Sequence, residues 1–292
     1  MSKVIDTVGD LDNVFFEIAN ELGAVSWQYE IIDHIKNYKN YEAFRPKQHL
    51  ILYSPGGLLR DGLNYHEGSL QEAFASGAGV FSVNGSWANY ISQPPINNTG
   101  IPLIIDMDHI SGWRDQPMST LVQIPWKAFM RGYHFNLYDA PFENVALDDS
   151  AWDTYRTSAG GTVTYAQKMA DLAGMLPSIS VSSTGFALAK QGSEYLVYAP
   201  GGGSFNVDLP SGNYSYEWFN PNRAMLVNTG CIKASGGSQS FLPPFSGDAV
   251  LYLVSSTSPS RPPSVPIDCS NIWNSSLAVP SSYEASFSLF TD

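Results

Sequence analysis

The sequence predicts two architectures in succession, α/β then all-β: parallel β/α units followed by an antiparallel β-sandwich. Three observations carry this. Through residue 138, short apolar runs alternate with segments of helical periodicity, the signature of β/α repeats. From residue 179 the texture changes to short alternating runs parted by Gly, Pro, Asn and Ser turns, which reads as antiparallel strands. The 292 residues are enough to bury one large core or two ordinary ones.

The elements follow in order. Residues 14–21, V-F-F-E-I-A-N-E, form an aromatic and branched strand. Ser26 fits an N-cap, and Trp27, Ile31, Ile32, Ile35 and Tyr38 recur at helical spacing. Residues 49–53, H-L-I-L-Y, are a second strand, 69–74 a short helix and 79–83 a third strand. The run 101–107, I-P-L-I-I-D-M, is apolar in the way of a buried parallel strand. Residues 121–131 read as a helix and 132–138 as a fifth strand. A closed eight-stranded barrel typically takes about 250 residues. Five strands before Asp139 therefore mean either an open sheet or a chain that begins mid-barrel. A polar stretch from Asp148 turns helical toward Met175, and sandwich strands follow at 186–190, 194–199, 204–209, 214–219 and 249–254. A Pro/Ser-rich linker and tail close the chain over 255–292.

Composition narrows the function classes. Hydrophobic residues make up 43% and charged residues 14% of the chain, a folded composition rather than a disordered one. The net charge of -12, without a basic stripe, opposes nucleic acid or an anionic membrane as a partner. No apolar stretch approaches the roughly 20 residues of a membrane span. The start, M-S-K-V-I-D, lacks the form of a signal peptide. Cys231 and Cys269 show no metal-ligand spacing and fit either a disulfide or two reduced thiols. His49, His66 and His134 match no metal motif and read as pocket or core histidines, and His34 as a solvent-facing helix residue. No metal or cofactor is expected. The Asn-x-Ser/Thr triplets at Asn84, Asn97, Asn213 and Asn274 carry meaning only in a host that glycosylates asparagine.

Two constellations could carry chemistry. The first strand ends in Asn20-Glu21, and in a parallel barrel the C-terminal strand ends face the active site. By alternation Phe15, Glu17, Ala19 and Glu21 share a face. A partly dehydrated glutamate there has the raised pKa of a general acid, with Asn20 able to bond a substrate hydroxyl. The same dipeptide also fits a simple strand-to-helix cap. The second constellation, Asp106-Met107-Asp108-His109, closes an apolar run and places one carboxylate at a strand rim and another just beyond it. Glycoside hydrolysis uses two carboxyl groups, ~5–5.5 Å apart for retention and ~6.5–9.5 Å for inversion. Glu21 with Asp106 or Asp108 could supply them. A solvated turn or a metal loop is the competing reading for the acids, although the Gly and distal Glu of a calcium loop are missing.

Here the residues resemble a known family. N-V-F-F-E-I-A-N-E, S-W-Q-Y-E-I-I-D-H-I-K-N-Y and P-K-Q-H-L resemble the strand-4 to strand-5 region of a bacterial glycoside-hydrolase-like TIM-barrel family. I-I-D-M-D-H-I, W-K-A-F-M-R-G and N-L-Y-D resemble its strands 7 and 8. S-S-T-G-F-A-L-A, E-Y-L-V-Y-A-P-G-G, E-W-F-N-P and P-P-F-S-G-D-A-V-L-Y-L resemble the β-sandwich that follows it, labelled a collagen-binding domain of a collagenase. The resemblance spans residues 13–254. It implies a partial (β/α)8 barrel, strands 4 to 8, over 1–178 and a sandwich over 179–254.

It also implies a retaining-type carbohydrate enzyme with Glu21 as acid/base. Asp106 or Asp108 stands where many members place a glutamate nucleophile, and Asn20, His109, Trp87 and Trp113 are the expected substrate-binding residues. The partner would be a polysaccharide or glycoside, and the alternative a non-catalytic protein whose sandwich binds glycan or collagen. Strands 1 to 3 would lie before Met1. A fragment of a secreted parent, stabilised as a homodimer or by pairing through open barrel edges, is the corresponding expectation.

Overall fold

In the computed structural model the described residues are 1–20, 24–39, 49–54, 57–58, 65–66, 69–85, 90, 92–110, 116–136 and 150–258; of 57–58, 65–66, 84–85, 107–110 and 151 the backbone alone is described. Five short strands, β1 (Phe16–Glu17), β2 (Ile51–Tyr53), β5 (Val80–Gly85), β6 (Leu103–Ile110) and β7 (Tyr133–Asn136), form one parallel sheet. Two-residue strands β3 (Gly57–Leu58) and β4 (Tyr65–His66) pair with each other antiparallel. The parallel strands lie in chain order, β1-β2-β5-β6-β7, without the reversal of a doubly wound sheet.

Strand alternation explains the layering. Phe16, Ile18, Ile51, Tyr53, Phe81, Val83, Leu103, Ile105 and Tyr133 share one apolar core with Ile32 and Ile35 of helix α2 (Val25–Asn37). Ala73 of α3 (Leu70–Ser76), Leu121 of α4 (Met118–Leu121) and Ile124 and Ala128 of α5 (Ile124–Met130) join that core. So does Ile5 of an N-terminal helix, α1 (Ser2–Val8). The intervening residues Glu17, Leu52, Val80, Ser82, Ile104, Asp106, His134 and Asn136 take the opposite face of the sheet.

Several local expectations shift. The first strand is shorter than 14–21 suggests, although Phe16 and Ile18 N–H still bond Leu50 and Leu52 carbonyls. Ser26 is inside the first turn of α2, whose N-cap is Ala24. Ser69 does cap α3, accepting from Glu72 N–H at 3.2 Å. The helix expected at 121–131 is divided between α4 and α5, because Pro125 in the first turn of α5 has no N–H to continue a ladder from α4.

Helix α6 (Asp153–Lys168) leads into an antiparallel unit. Its strands are β8 (Leu176–Pro177), β9 (Ala187–Lys190), β10 (Glu194–Ala199), β11 (Phe205–Leu209), β12 (Gly212–Asn220), β13 (Met225–Ala234), β14 (Gly237–Phe241) and β15 (Ala249–Ser255). Six form a sheet in the order β13-β12-β15-β10-β9-β8, and β11 pairs with β14. One core lies between these two sheets: Tyr195, Val197, Trp218, Leu251 and Leu253 from the large one meet Phe205, Val207, Leu209 and Phe241 from the small one. Between β10 and β11, Gly201, Gly202 and Gly203 all have positive φ (75°, 73° and 83°), and a Cβ on Gly202 would strike the Gly247 carbonyl.

The large sheet is covered on its other face too. Leu196, Tyr198, Phe219, Val250 and Tyr252 pack against Trp126 and Met130 of α5 and Tyr165 of α6. This is why all six residues of β10 are buried. Several polar groups inside the junction are paired, whereas Trp126 Nε1 is buried without a hydrogen-bond partner. Glu217 accepts from Tyr165 Oη at 2.7 Å and is bound by Lys168 Nζ, while Tyr252 Oη donates to Glu194. Asp248 accepts from Gly201 N–H (2.6 Å) and from Gln123 Nε2 of the preceding half (3.0 Å). Cys231 is half-buried on β13, and Cys269 lies outside the described residues. Among the described residues no helix is long and apolar enough to cross a membrane.

Candidate active site

The site is built on the C-terminal ends of the parallel strands, on the face away from the helices. Ile105 is fully buried in the helix-side core, so Asp106, next along β6, must turn to the other face, where it is half-buried. The β6–β7 ladder ends with the pair Asp106↔Asn136, and Asn136 Nδ2 donates to Asp106 Oδ1 at 3.2 Å. On the other side of β6 the register breaks at the same point. The β5–β6 ladder is in step through Val83↔Ile105 and resumes only at Gly85↔Ile110, so β5 advances from 83 to 85 while β6 advances from 105 to 110. The D-M-D-H segment is thus the irregular part of its strand, and such irregularities redirect side chains beside active sites.

The expected site residues divide accordingly. Asp106 is at the strand rim. Asp108 and His109 belong to β6 by backbone, and their side chains are outside the described residues. Asn20 is exposed just beyond β1. Glu21, Trp87 and Trp113 lie outside the described residues. On the same face of β7, Asn136 was not singled out by sequence, and His134, expected there as a pocket or core histidine, is exposed like Asn136. The signal was there in Y-H-F-N, where Tyr133 and Phe135 face the helices and the polar pair must face away.

His49 and His34 make structural contacts. His49 is buried, with Nδ1 2.8 Å from the Val14 carbonyl and Nε2 3.2 Å from that of Gly9. His34 is exposed and bonds Ser2 Oγ at 3.0 Å. The His66 side chain is outside the described residues. Phenols around the sheet are held protonated: burial, then the Tyr29 and Glu72 neighbours, raises Tyr53, and burial, then Tyr90, raises Tyr133. None of these can act as a base at neutral pH. Among the described residues no group of three or more His, Cys, Asp or Glu could hold a metal ion.

A second concavity belongs to the antiparallel unit. A groove of about 390 Å³ is lined by Ser180, Ser182, Ser183, Asn206, Asp208 and Ser238, among others. It is polar, with hydroxyl, amide and one carboxylate group. Part of that polarity is already engaged, since Ser183 Oγ accepts from Asn206 N–H at 2.9 Å.

No protein-family model matches the sequence, and no curated protein matches it. Solved structures do match. One described as a glycoside hydrolase aligns with a TM-score of 0.54 at 12% identity, covering 88% of this chain and 68% of that one. A glycoside hydrolase family 5 protein from Bacteroides vulgatus aligns with a TM-score of 0.51 at 13% identity, covering 94% and 70%. The likeness is one of fold, between this mixed α/β chain and structures described as glycoside hydrolases.

Proposed function

We propose that the chain is a glycosidase-type protein whose parallel strands are strands 4 to 8 of a (β/α)8 barrel, followed by a β-sandwich. Glu21 is its acid/base, and Asp106 or Asp108 its second carboxylate. The observation that carries this reading is Asp106, an acid at the C-terminal rim of a parallel strand, on the face away from the helices and braced by an amide from the next strand. The chain-order winding supports it, since a barrel winds without reversal, as does the fold shared with glycoside hydrolases. Asn20, His109, Trp87 and Trp113 are the proposed contacts to the sugar. The substrate class is a polysaccharide or glycoside, and the outer strands β1 and β7 are the edges through which a homodimer or a complementary segment would pair.

The test is hydrolysis of a panel of aryl-glycosides and polysaccharides by the full chain. Glu21→Gln should lower kcat by about 10²–10⁴-fold, the usual contribution of a general acid, and one of Asp106→Asn or Asp108→Asn should do at least as much. Full activity in Glu21→Gln would sink the assignment. The anomeric configuration of the first product, followed by NMR, distinguishes retention from inversion.

The polar groove favours a second reading, in which the antiparallel unit binds glycan or collagen without catalysis. Calorimetric titration of the full chain with oligosaccharides and with a collagen peptide decides it. Binding lost in Asp208→Ala, with no hydrolysis anywhere in the panel, would replace the first reading by this one.

A further inference from the structure

We propose that Asn136 is a positioning residue for the Asp106 carboxylate, fixing its orientation and favouring its ionised form. The inference rests on the reading of Asp106 as one of the two reacting carboxylates and adds a residue that neither motif nor likeness assigns.

Three observations converge on it. The pair is bonded, Asn136 Nδ2 donating to Asp106 Oδ1 at 3.2 Å. It is also a ladder pair, the last of the β6–β7 register. Both side chains are therefore held by hydrogen-bonded strands, which set a reacting group more accurately than loops do. Finally, Asp106 is where β6 loses step with β5. On that side the regular ladder ceases to constrain the segment, and the bond from β7 contributes to fixing the carboxylate plane.

The chemistry follows from the donor. An amide N–H can only donate, and it binds a carboxylate more strongly than a neutral carboxyl. A donor to the charged form lowers the proton affinity of the acid. A nucleophile or base at this position must be ionised and must present an oxygen in a fixed direction. Asn136 supplies both without bringing a charge of its own. Other titratable residues lie on the same sheet. His134 is on β7, two residues before Asn136, and Glu17 is on β1; Asp108 and His109 follow Asp106 along the β6 backbone. The titration of Asp106 therefore has to be followed residue by residue.

The experiment compares the full chain with Asn136→Ala, Asn136→Ser and Asp106→Asn. Carbon-13 NMR of the aspartate carboxyls, with Asp106→Asn locating the resonance, should show the Asp106 titration moving up by about one pH unit in Asn136→Ala, the size of a charge-assisted bond. Asn136→Ser, which keeps a donor, should move it less. Circular dichroism confirms that each variant is folded; should Asn136→Ala fail to fold, Asn136→Ser against Asn136→Val gives the same comparison.

With a hydrolysed substrate, Asn136→Ala should lower kcat about tenfold with KM little changed, and move the acid limb of the kcat profile up by the same amount as the titration. An Asp106 titration identical in folded wild type and Asn136→Ala overturns the inference. If Asp106→Asn keeps full hydrolysis, the catalytic reading of Asp106 has failed instead, and the titration still decides whether Asn136 acts on it.

Discussion

Asn97 shows how much one side chain can hold. Its amide donates to the carbonyls of Ile101 (2.9 Å) and Gly132 (3.0 Å), and its Oδ1 accepts from the N–H and hydroxyl of Thr99 (3.1 and 2.6 Å). Its own N–H bonds the Arg131 carbonyl at 2.9 Å. The residue thereby ties the entry of β6 to the entry of β7, the two strands that present Asp106 and Asn136. Asn97→Ala removes the amide donor to the Gly132 carbonyl and the acceptor of Thr99 N–H in a half-buried turn, while the Thr99 hydroxyl and the Ile101 carbonyl keep each other at 3.2 Å; the cost is about 1–3 kcal/mol for an unsatisfied group. Chemical denaturation should show that loss, whereas Asn98→Ala, at an exposed neighbour, should stay within about 0.5 kcal/mol of wild type. In the sequence Asn97 is visible only as part of an Asn-x-Thr triplet, because nothing local announces its bond to the Gly132 carbonyl 35 residues away. Asp106 was legible for the opposite reason: a carboxylate ending an apolar run is a local signal. Asn136 required the register between two strands.

The same division holds for elements. The five parallel strands could be read because strands covered by helices need branched and aromatic residues, as in H-L-I-L-Y and I-P-L-I-I. Strand β13 was missed because it is a sheet edge with only Gly230 and Ala234 buried. Strand β14, G-S-Q-S-F, buries only Phe241. Without an apolar face there is no period to detect. Strands β10 and β15 were found, but their two-sided burial was not foreseen, since what covers the second face comes from α5 and α6.

Trp126 is the hub of that cover. It is fully buried, stacked on Tyr198 at 5.9 Å and close to Tyr165 (5.9 Å) and Phe219 (6.1 Å). Trp126→Ala should cost about 3–5 kcal/mol, as for other large-to-small core changes, and should split thermal unfolding into two steps as the parallel and antiparallel parts uncouple. Gly161→Ala tests the same contact from α6, because its Cβ would lie 2.9 Å from Trp126 and 3.1 Å from Phe219. A single unperturbed transition in Trp126→Ala would refute this picture of the junction.

For the whole molecule, the buried phenols at that junction set the response to alkali. Burial, then Glu217, raises Tyr165 well above its ordinary value of 10.0. Burial, then Glu194 and Glu217, raises Tyr252. Burial, then Asp248, raises Tyr198. A group whose folded pKa exceeds its unfolded one keeps its proton where the unfolded chain has lost it. Its contribution is therefore complete below about pH 10 and is lost as pH rises toward the folded value.

Lys127 works in the other direction. Burial lowers its pKa from 10.5, against a smaller opposing pull from Asp248, so its cost is present at neutral pH and relieved on approaching 10.5. One lysine acts against three junction phenols, and the phenols win. Stability measured by denaturant should hold to about pH 10 and then fall, with tyrosinate absorbance rising in the same transition as the loss of structure. Tyr165→Phe removes one ionising group together with its bond to Glu217. It should therefore be less stable at neutral pH by about 1 kcal/mol, yet decline less steeply in alkali. A Tyr165→Phe curve that runs parallel to wild type above pH 10 would show that this phenol ionises without unfolding, and that the junction is open to water.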